Sequence, residues 1–184
     1  NNKEDTDIKV KYPIYEYYKL NKVITENINY YLKDNIDNYY FLYIDYKDYE
    51  YKEYISIVLY ISYFTGGAHP NYEIKTINYN KSTNKFIDID DLINRDKDIL
   101  NKLSIYSRES FSNNDMFNDK VVFDMMIDGT KSIKDNYKYF NITSDGLIIY
   151  FNRYQIAPYY YGDYSITISY NYLNLSIWNI LFIW

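Results

Sequence analysis

The chain has no cysteine, one histidine, three prolines and five glycines in 184 residues. Without cysteine, disulfide bridges, thiolate metal sites and thiol nucleophiles are excluded. The single histidine, His69, excludes a metal site made of histidines alone. Arginine occurs only at Arg95, Arg108 and Arg153, and alanine only at Ala68 and Ala157. The formal net charge is −5, which argues against DNA, RNA or an anionic membrane as partner, since each needs a basic patch. It fits a cationic partner by complementarity. The final stretch, "SIWNILFIW", is apolar but too short to span a bilayer, and reads as a packed or partner-bound tail. The chain starts at Asn1 rather than Met, so the expected natural N-terminus lies upstream, and membrane attachment is expected only through a segment outside this chain.

What is abundant is tyrosine, with 28 copies among many Asn, Ile, Lys and Asp residues. All five have AT-rich codons, so genome bias is the plain explanation. The physical consequence stands regardless: Tyr is amphipathic and serves either a core edge or an exposed binding face. Hydrophobic residues make up 47% of the chain, enough for a real core.

Periodicity organises the chain. Ile8, Val10 and Tyr12 alternate with Lys9 and Lys11, predicting a strand that ends at Pro13. Leu20, Val23, Ile24, Ile28, Tyr31, Leu32 and Ile36 recur at helical steps, predicting an amphipathic helix over 18–38. Over residues 54–64, Ile55, Ile57, Leu59, Ile61 and Tyr63 fall on one face, predicting a long strand with one buried face. A partner strand is expected over 72–79, so the intervening "YFTGGAHPNY" reads as a hairpin connection. Past the "NKSTNK" turn, a short strand starts at Phe86 and a helical turn covers 88–94. Helices follow over 98–111 and 118–134, the second broken near Gly129. Strands 137–143 and 147–151 flank the "SDG" turn, and a last strand runs from Ser165 to Tyr170. Hairpins in place of regular helix crossovers predict an α+β fold with a mainly antiparallel sheet and helices packed on one face, in one domain or two lobes. The expected division is a strand–helix lobe at 1–50, a main α+β domain at 51–175 and the apolar tail at 176–184.

Two stretches concentrate candidate function. The loop Thr65, Gly66, Gly67, Ala68, His69 and Pro70 combines backbone freedom with a titratable side chain. Its spacing is not that of a phosphate-binding loop. Three roles are open to His69: fixing the loop through its backbone, touching a ligand, or acting as a base. The second stretch, "YFNRYQIAPYYYG" at 150–162, packs aromatics around Pro158 and Gly162. Asn152, Tyr154, Pro158 and Tyr159 are its candidate contacts, since Tyr offers large contact area at low entropic cost. Asp45, Asp48, Glu50, Glu53, Asp88, Asp90 and Asp91 are plentiful carboxylates, but no pair is singled out by spacing, and "DIDD" lacks the glycine and distal glutamate of a calcium loop. No catalytic residue, metal or cofactor is assigned.

Taken together, "YFTGGAHPNY", "NKFIDIDDLI" and "TSDGLIIYFNRYQIAPYYYGDYSITISY" resemble the domain shared by RsiV-type anti-sigma factors and the non-catalytic part of PdaC-type peptidoglycan deacetylases. "VKYPIYEYYKLNKVITENINYYL" is similar to the domain that precedes it, so the resemblance spans about residues 9–173. It implies an extracytoplasmic α+β module, secreted or membrane-anchored. In RsiV-type members this module binds lysozyme. In the deacetylases it sits beside a separate catalytic domain, whose metal-ligand motifs are absent here, so the resemblance does not imply deacetylation by this chain. Where the family pattern often carries proline, this chain has Asn152-Arg153. The expected function is a non-catalytic sensor or binding module recognising lysozyme, another cationic protein or a cell-wall glycan. The alternative is an accessory domain of a peptidoglycan enzyme, or an enzyme acting on peptidoglycan.

Overall fold

The computed structural model describes residues 6–33 and 38–174 and has an α+β fold. The chain divides into two compact units, Asn1–Phe86 and Ile87–Trp184. The boundary expected after residue 50 falls inside a hairpin, where Glu50 pairs with Ile55 and Tyr51 with Tyr54. The apolar tail at 176–184 lies outside the described residues.

Among its described residues the first unit has a five-stranded sheet and one α-helix. Strands β1 (Asp7–Val10), β2 (Phe41–Tyr51), β3 (Tyr54–Phe64), β4 (Asn71–Asn80) and β5 (Lys85–Phe86) lie side by side in chain order. Only the β1–β2 pair is parallel. Helix α1 (Tyr18–Leu32) buries Leu20, Ile24, Ile28 and Tyr31, spaced four, four and three residues apart, in one cluster with Leu42, Ile44, Ile55, Ile57, Leu59 and Ile61. Each such fully buried aliphatic side chain contributes roughly 1.5–3 kcal/mol of transfer free energy. The entry to α1 is held by Asn21, whose side chain accepts from Tyr15 N at 2.9 Å and donates to Tyr15 O at 2.6 Å.

Two expectations, on β1 and β3, need correction here. Strand β1 stops at Val10 rather than Tyr12. Helix α1 is described to Leu32 with its cap at Lys33, and positions 34–37 of the expected helix lie outside the described residues. Strand β3 is not buried on one face alone: Tyr54, Ser56 and Val58, on the face opposite Ile55 and Ile57, are also buried. Strand β2 has no counterpart in the sequence reading. Its turn, Lys52-Glu53, lacks the Gly or Asn that marks a tight hairpin, although Lys52 adopts a positive φ of 53°.

The second unit combines the antiparallel sheet β6 (Phe140–Ile142), β7 (Leu147–Phe151) and β8 (Tyr164–Ile168) with helices α2 (Ile89–Arg95), α3 (Ile99–Ser112), α4 (Lys120–Gly129), α5 (Lys134–Tyr137) and α6 (Tyr170–Leu173). The "DIDD" run is a capping box. Asp88 accepts from the backbone of Asp90 and Asp91, and Asp91 accepts from Asp88 N at 2.9 Å. Asp119 caps α4 through Val121 N and Val122 N. No helix among the described residues is long and apolar enough to cross a membrane.

Candidate binding surface

Residues 65–70 join β3 to β4 in the first unit. Thr65, Gly66, Gly67 and Ala68 are exposed, while His69 and Pro70 are half-buried. Gly66 and Gly67 take φ of 101° and 111°, a region that side chains with a Cβ rarely adopt. His69 Nδ1 lies 3.0 Å from Pro70 O. A carbonyl oxygen only accepts, so this contact requires the proton on Nδ1.

The base of the loop is clamped by a side chain absent from the sequence reading. Glu73 accepts from Tyr31 OH at 2.6 Å and from Tyr63 OH at 3.0 Å, tying α1 and β3 to β4. Lys75 Nζ sits over the rings of Tyr30 and Tyr31 at 4.7 and 5.0 Å. Burial, with the hydrogen bond to Glu73, pushes the Tyr63 phenol up to about 12 and the Tyr31 phenol further in the same direction.

Beside the loop runs a line of aromatic rings, also unread from sequence. Phe41 and Tyr43 point away from the face that buries Leu42 and Ile44, and Phe64 stands opposite Phe41 in the β2–β3 register. Ring centroids follow at 5.3 Å from Tyr40 to Phe64, 6.2 Å from Phe64 to Phe41 and 4.9 Å from Phe41 to Tyr43. Interplanar angles of 35°, 29° and 23° make the line near-parallel. Tyr40 is 61% exposed and donates its backbone N–H to Phe64 O at 2.7 Å. Its ring lies against Gly66, 3.6 Å from where a Cβ would stand. At the far end, Tyr43 OH donates to Asp7 at 2.5 Å, and Lys9 pairs with the same carboxylate at 2.9 Å. Those two donors hold the Asp7 carboxyl below the usual carboxylate range.

The segment 152–161 is built differently. It leaves β7, turns at Arg153–Gln155 and returns through a 3-10 turn at Tyr159–Tyr161. Gln155 N donates to Asn152 O at 3.0 Å, and Gln155 Oε1 accepts from Asn152 N at 3.2 Å. Ile156 and Ala157 are buried as an anchor, whereas Tyr154 and Tyr160 are exposed at 56% and 74%. Tyr154 adopts a positive φ of 66°, a conformation costing of order 1 kcal/mol for a bulky residue. The Arg153 guanidinium lies 4.6 Å from the centre of the Tyr159 ring, and Arg153 pairs with Asp163 at 3.6 Å. The Tyr154 and Tyr159 rings meet at 5.7 Å, and those of Tyr160 and Tyr161 at 4.2 Å.

A helix end fixes this segment. The last carbonyls of an α-helix have no partner within it. Around the end of α4 they are taken by side chains from elsewhere. Arg108 donates to Ile127 O at 3.2 Å, and Asn136 to Asp128 O at 3.0 Å. Gln155 donates to Gly129 O at 3.1 Å and to Asn136 O at 3.0 Å. Ser104 and Tyr137 both donate to Thr130 O, at 2.6 and 2.8 Å. The segment also passes so close to Gly129 that a Cβ there would stand 1.9 Å from Gln155 O. Gly129, read from sequence as a helix break, is therefore also a site of backbone contact with the segment.

The structure thus gathers Asn152, Arg153, Tyr154 and Tyr159 in one substructure of the second unit. Thr65 to Pro70 form another in the first. Several of the candidate carboxylates have partners. Asp48 accepts from Tyr15 OH at 2.6 Å, Asp45 pairs with Lys11 at 3.6 Å, and Glu50 pairs with Lys81. Among the described residues no group of three His, Cys, Asp or Glu side chains is placed to hold a metal ion.

Comparison with known proteins adds kinship. Residues 90–171 match a family described as "Protein of unknown function (DUF3298)"; the match includes the segment 152–161 but not the loop 65–70. Over 128 residues, 68% of this chain, the sequence is 37% identical to the peptidoglycan-N-acetylmuramic acid deacetylase PdaC of Bacillus subtilis. The chain covers 27% of the length of that enzyme. A DUF3298 family protein from Pseudomonas aeruginosa has a similar crystal structure, with a TM-score of 0.70 at 17% identity over 92% of this chain and 83% of its own. A DUF3298 member from Bacteroides fragilis gives a TM-score of 0.51 at 20% identity over 85% of this chain and 61% of its own. At these identities the two structures speak for the fold.

Proposed function

We propose that this chain is a non-catalytic binding module of the bacterial cell envelope, acting outside the cytoplasm as an accessory to peptidoglycan modification. The observation that carries the reading is the segment 152–161. It holds Tyr154 and Tyr160 in solvent on a backbone locked by Gln155, by the Arg153–Asp163 pair and by buried Ile156 and Ala157. Rigid, exposed tyrosines on an anchored loop bind with little further loss of entropy. The 37% identity to a peptidoglycan deacetylase supports the envelope setting. The finer reading is an RsiV-type sensor that takes lysozyme or another cationic protein, using the segment. The net charge of −5 favours it, since opposite charge steers association and makes it salt-sensitive.

Purified peptidoglycan sacculi and lysozyme are the two probes. The chain is expected to pellet with sacculi or to co-elute with lysozyme at low salt, and Tyr160→Ser is expected to weaken whichever interaction is found by about tenfold, as loss of an interface anchor does. A chain that engages neither probe sinks the envelope reading. Binding to sacculi without lysozyme removes the sensor reading alone.

A further inference from the structure

Where α3 ends and α4 begins, the second unit leaves an open cavity of about 350 Å³ that neither candidate stretch contains. Ser112 of α3, Phe117 and Asn118 of the 3-10 turn Asp115–Asn118, and Lys120 and Phe123 of α4 line it. One wall is fixed from beneath. Phe117 is buried, with its ring centroid 5.5 Å from that of Phe111 and 6.4 Å from that of Tyr164. Tyr164 OH also donates to Met116 Sδ at 2.9 Å, which ties the turn to the start of β8. The other wall is open: Phe123 is 43% exposed, and Val121, two residues earlier on α4, is 64% exposed. A cavity of this size lies at the lower end of the range for ligand sites, about 300–1,000 Å³, and has room for one bulky side chain.

The charge around the cavity is acidic. The stretch 108–131 carries Glu109, Asp115, Asp119, Asp124 and Asp128, all exposed. Lys120 pairs with Asp124 at 2.7 Å and Lys131 with Asp128 at 2.6 Å. Arg108, the remaining cation of the stretch, is turned to Ile127 O and Thr130 Oγ1. Glu109, Asp115 and Asp119 have no lysine or arginine in ion-pair reach among the described residues. Asp115 opens the 3-10 turn and Asp119 caps α4, so both stand among the lining residues in sequence. The Tyr160 phenol is raised first by its hydrogen bond with Tyr161, then by burial and by the charges of Tyr161 and Asp119, so Asp119 lies near the exposed end of the segment 152–161. Apolar surface bordered by unpaired carboxylates repels nucleic acid and anionic lipid. It is complementary to a basic chain that carries one large apolar side chain.

We propose that this cavity receives a bulky apolar side chain of a basic protein segment, with Phe117 and Phe123 as its walls and Asp115 and Asp119 drawing the flanking cations. The proposal rests on the cationic-partner reading above and adds to it a site and an anchor. The probe is the amidated pentapeptide Lys-Lys-Trp-Lys-Lys, titrated calorimetrically into the whole chain up to about 1 mM. Binding is expected, weakening by about threefold or more from low to moderate salt. Replacing Trp by Ala in the peptide is expected to weaken it by about tenfold, and so is Phe123→Ala in the chain. Asp115→Asn changes an exposed side chain without an ion pair, so it leaves the packing alone; it should weaken binding by about twofold and flatten the salt dependence. No heat with the pentapeptide overturns the proposal. So does unchanged affinity in both variants, or equal affinity for Glu-Glu-Trp-Glu-Glu. A chain that co-elutes with lysozyme or pellets with sacculi yet ignores the pentapeptide overturns the anchor cavity and leaves the reading above standing. A chain that engages neither sacculi, lysozyme nor the pentapeptide overturns both.

Discussion

The loop at 65–70 and the segment at 152–161 are both exposed connections between strands, yet they keep their shapes by opposite means. The loop is shaped mainly by backbone. Two successive glycines at positive φ turn it, and His69 Nδ1 meets the carbonyl of its neighbour Pro70. Its support lies beneath it, where Glu73 joins Tyr31 and Tyr63. The segment is shaped by side chains reaching a distant helix end, and it tolerates a strained Tyr154 because those contacts over-determine it. A backbone-shaped loop should therefore bend locally when altered. A side-chain-locked one should transmit damage to the packing below.

The largest effect is expected at the contact between segment and helix. Gly129→Ala places a methyl 1.9 Å from Gln155 O, and both sides are backbone, so α4 or the segment must move. A loss of about 3 kcal/mol or more in urea unfolding is expected, in the range of overpacked or clashing core sites. A loss below about 1 kcal/mol would show that the two backbones are not held together as described. Gln155→Ala comes next. It leaves the carbonyls of Gly129 and Asn136 without this donor, which costs about 1–3 kcal/mol. It should also release Tyr154 and Tyr160, so binding should fall even though neither ring is changed.

How much of this was legible in the sequence follows the strength of each local signal. Strand β3 was read to its ends because Ile55, Ile57, Leu59, Ile61 and Tyr63 recur at every second residue. Strand β4, helix α3 and the "SDG" hairpin were read to within one to three residues for similar reasons. Strand β2 was missed because its second half, Asp45 to Glu50, is charged and tyrosine-rich, and its turn carries a Lys in the left-handed region. The unit boundary went with it, since a chain without β2 divides at the wrong place. The ring line was lost for the same reason: Phe41 and Tyr43 share a face only once β2 is a strand. Glu73 and Gln155 could not be found at all, because their partners lie 42 and 10 residues away in one case and 26 and 19 in the other.

Altering the loop should cost less than altering the segment. Gly66→Ala adds a Cβ at ordinary contact distance from Tyr40, so the penalty is that of the φ of 101° alone, about 1–2 kcal/mol. The change should stay local: binding through Tyr160 should be unaffected. If Gly66→Ala abolished that binding, the contrast between a local loop and a transmitting segment would fail.

The smallest effect is a pH dependence at the loop's base, and it isolates the clamp from the loop itself. The Tyr63 phenol is pushed up to about 12 in the folded chain, against about 10 when unfolded. Below pH 10 the phenol is protonated in both states and its contribution is present in full. As pH rises from 10 through 12, the unfolded chain loses this proton first, so stability falls. For a half-exposed phenol screened by solvent, the loss is about 1 kcal/mol. The other tyrosines titrate too, so the measurement is a difference. Wild type and Tyr63→Phe are unfolded in urea at about pH 9 and about pH 11.5, and the stability advantage of wild type over the variant should shrink by that amount. An advantage that is the same at both values would mean that Tyr63 does not donate to Glu73 in solution, and the clamp would then rest on Tyr31 alone.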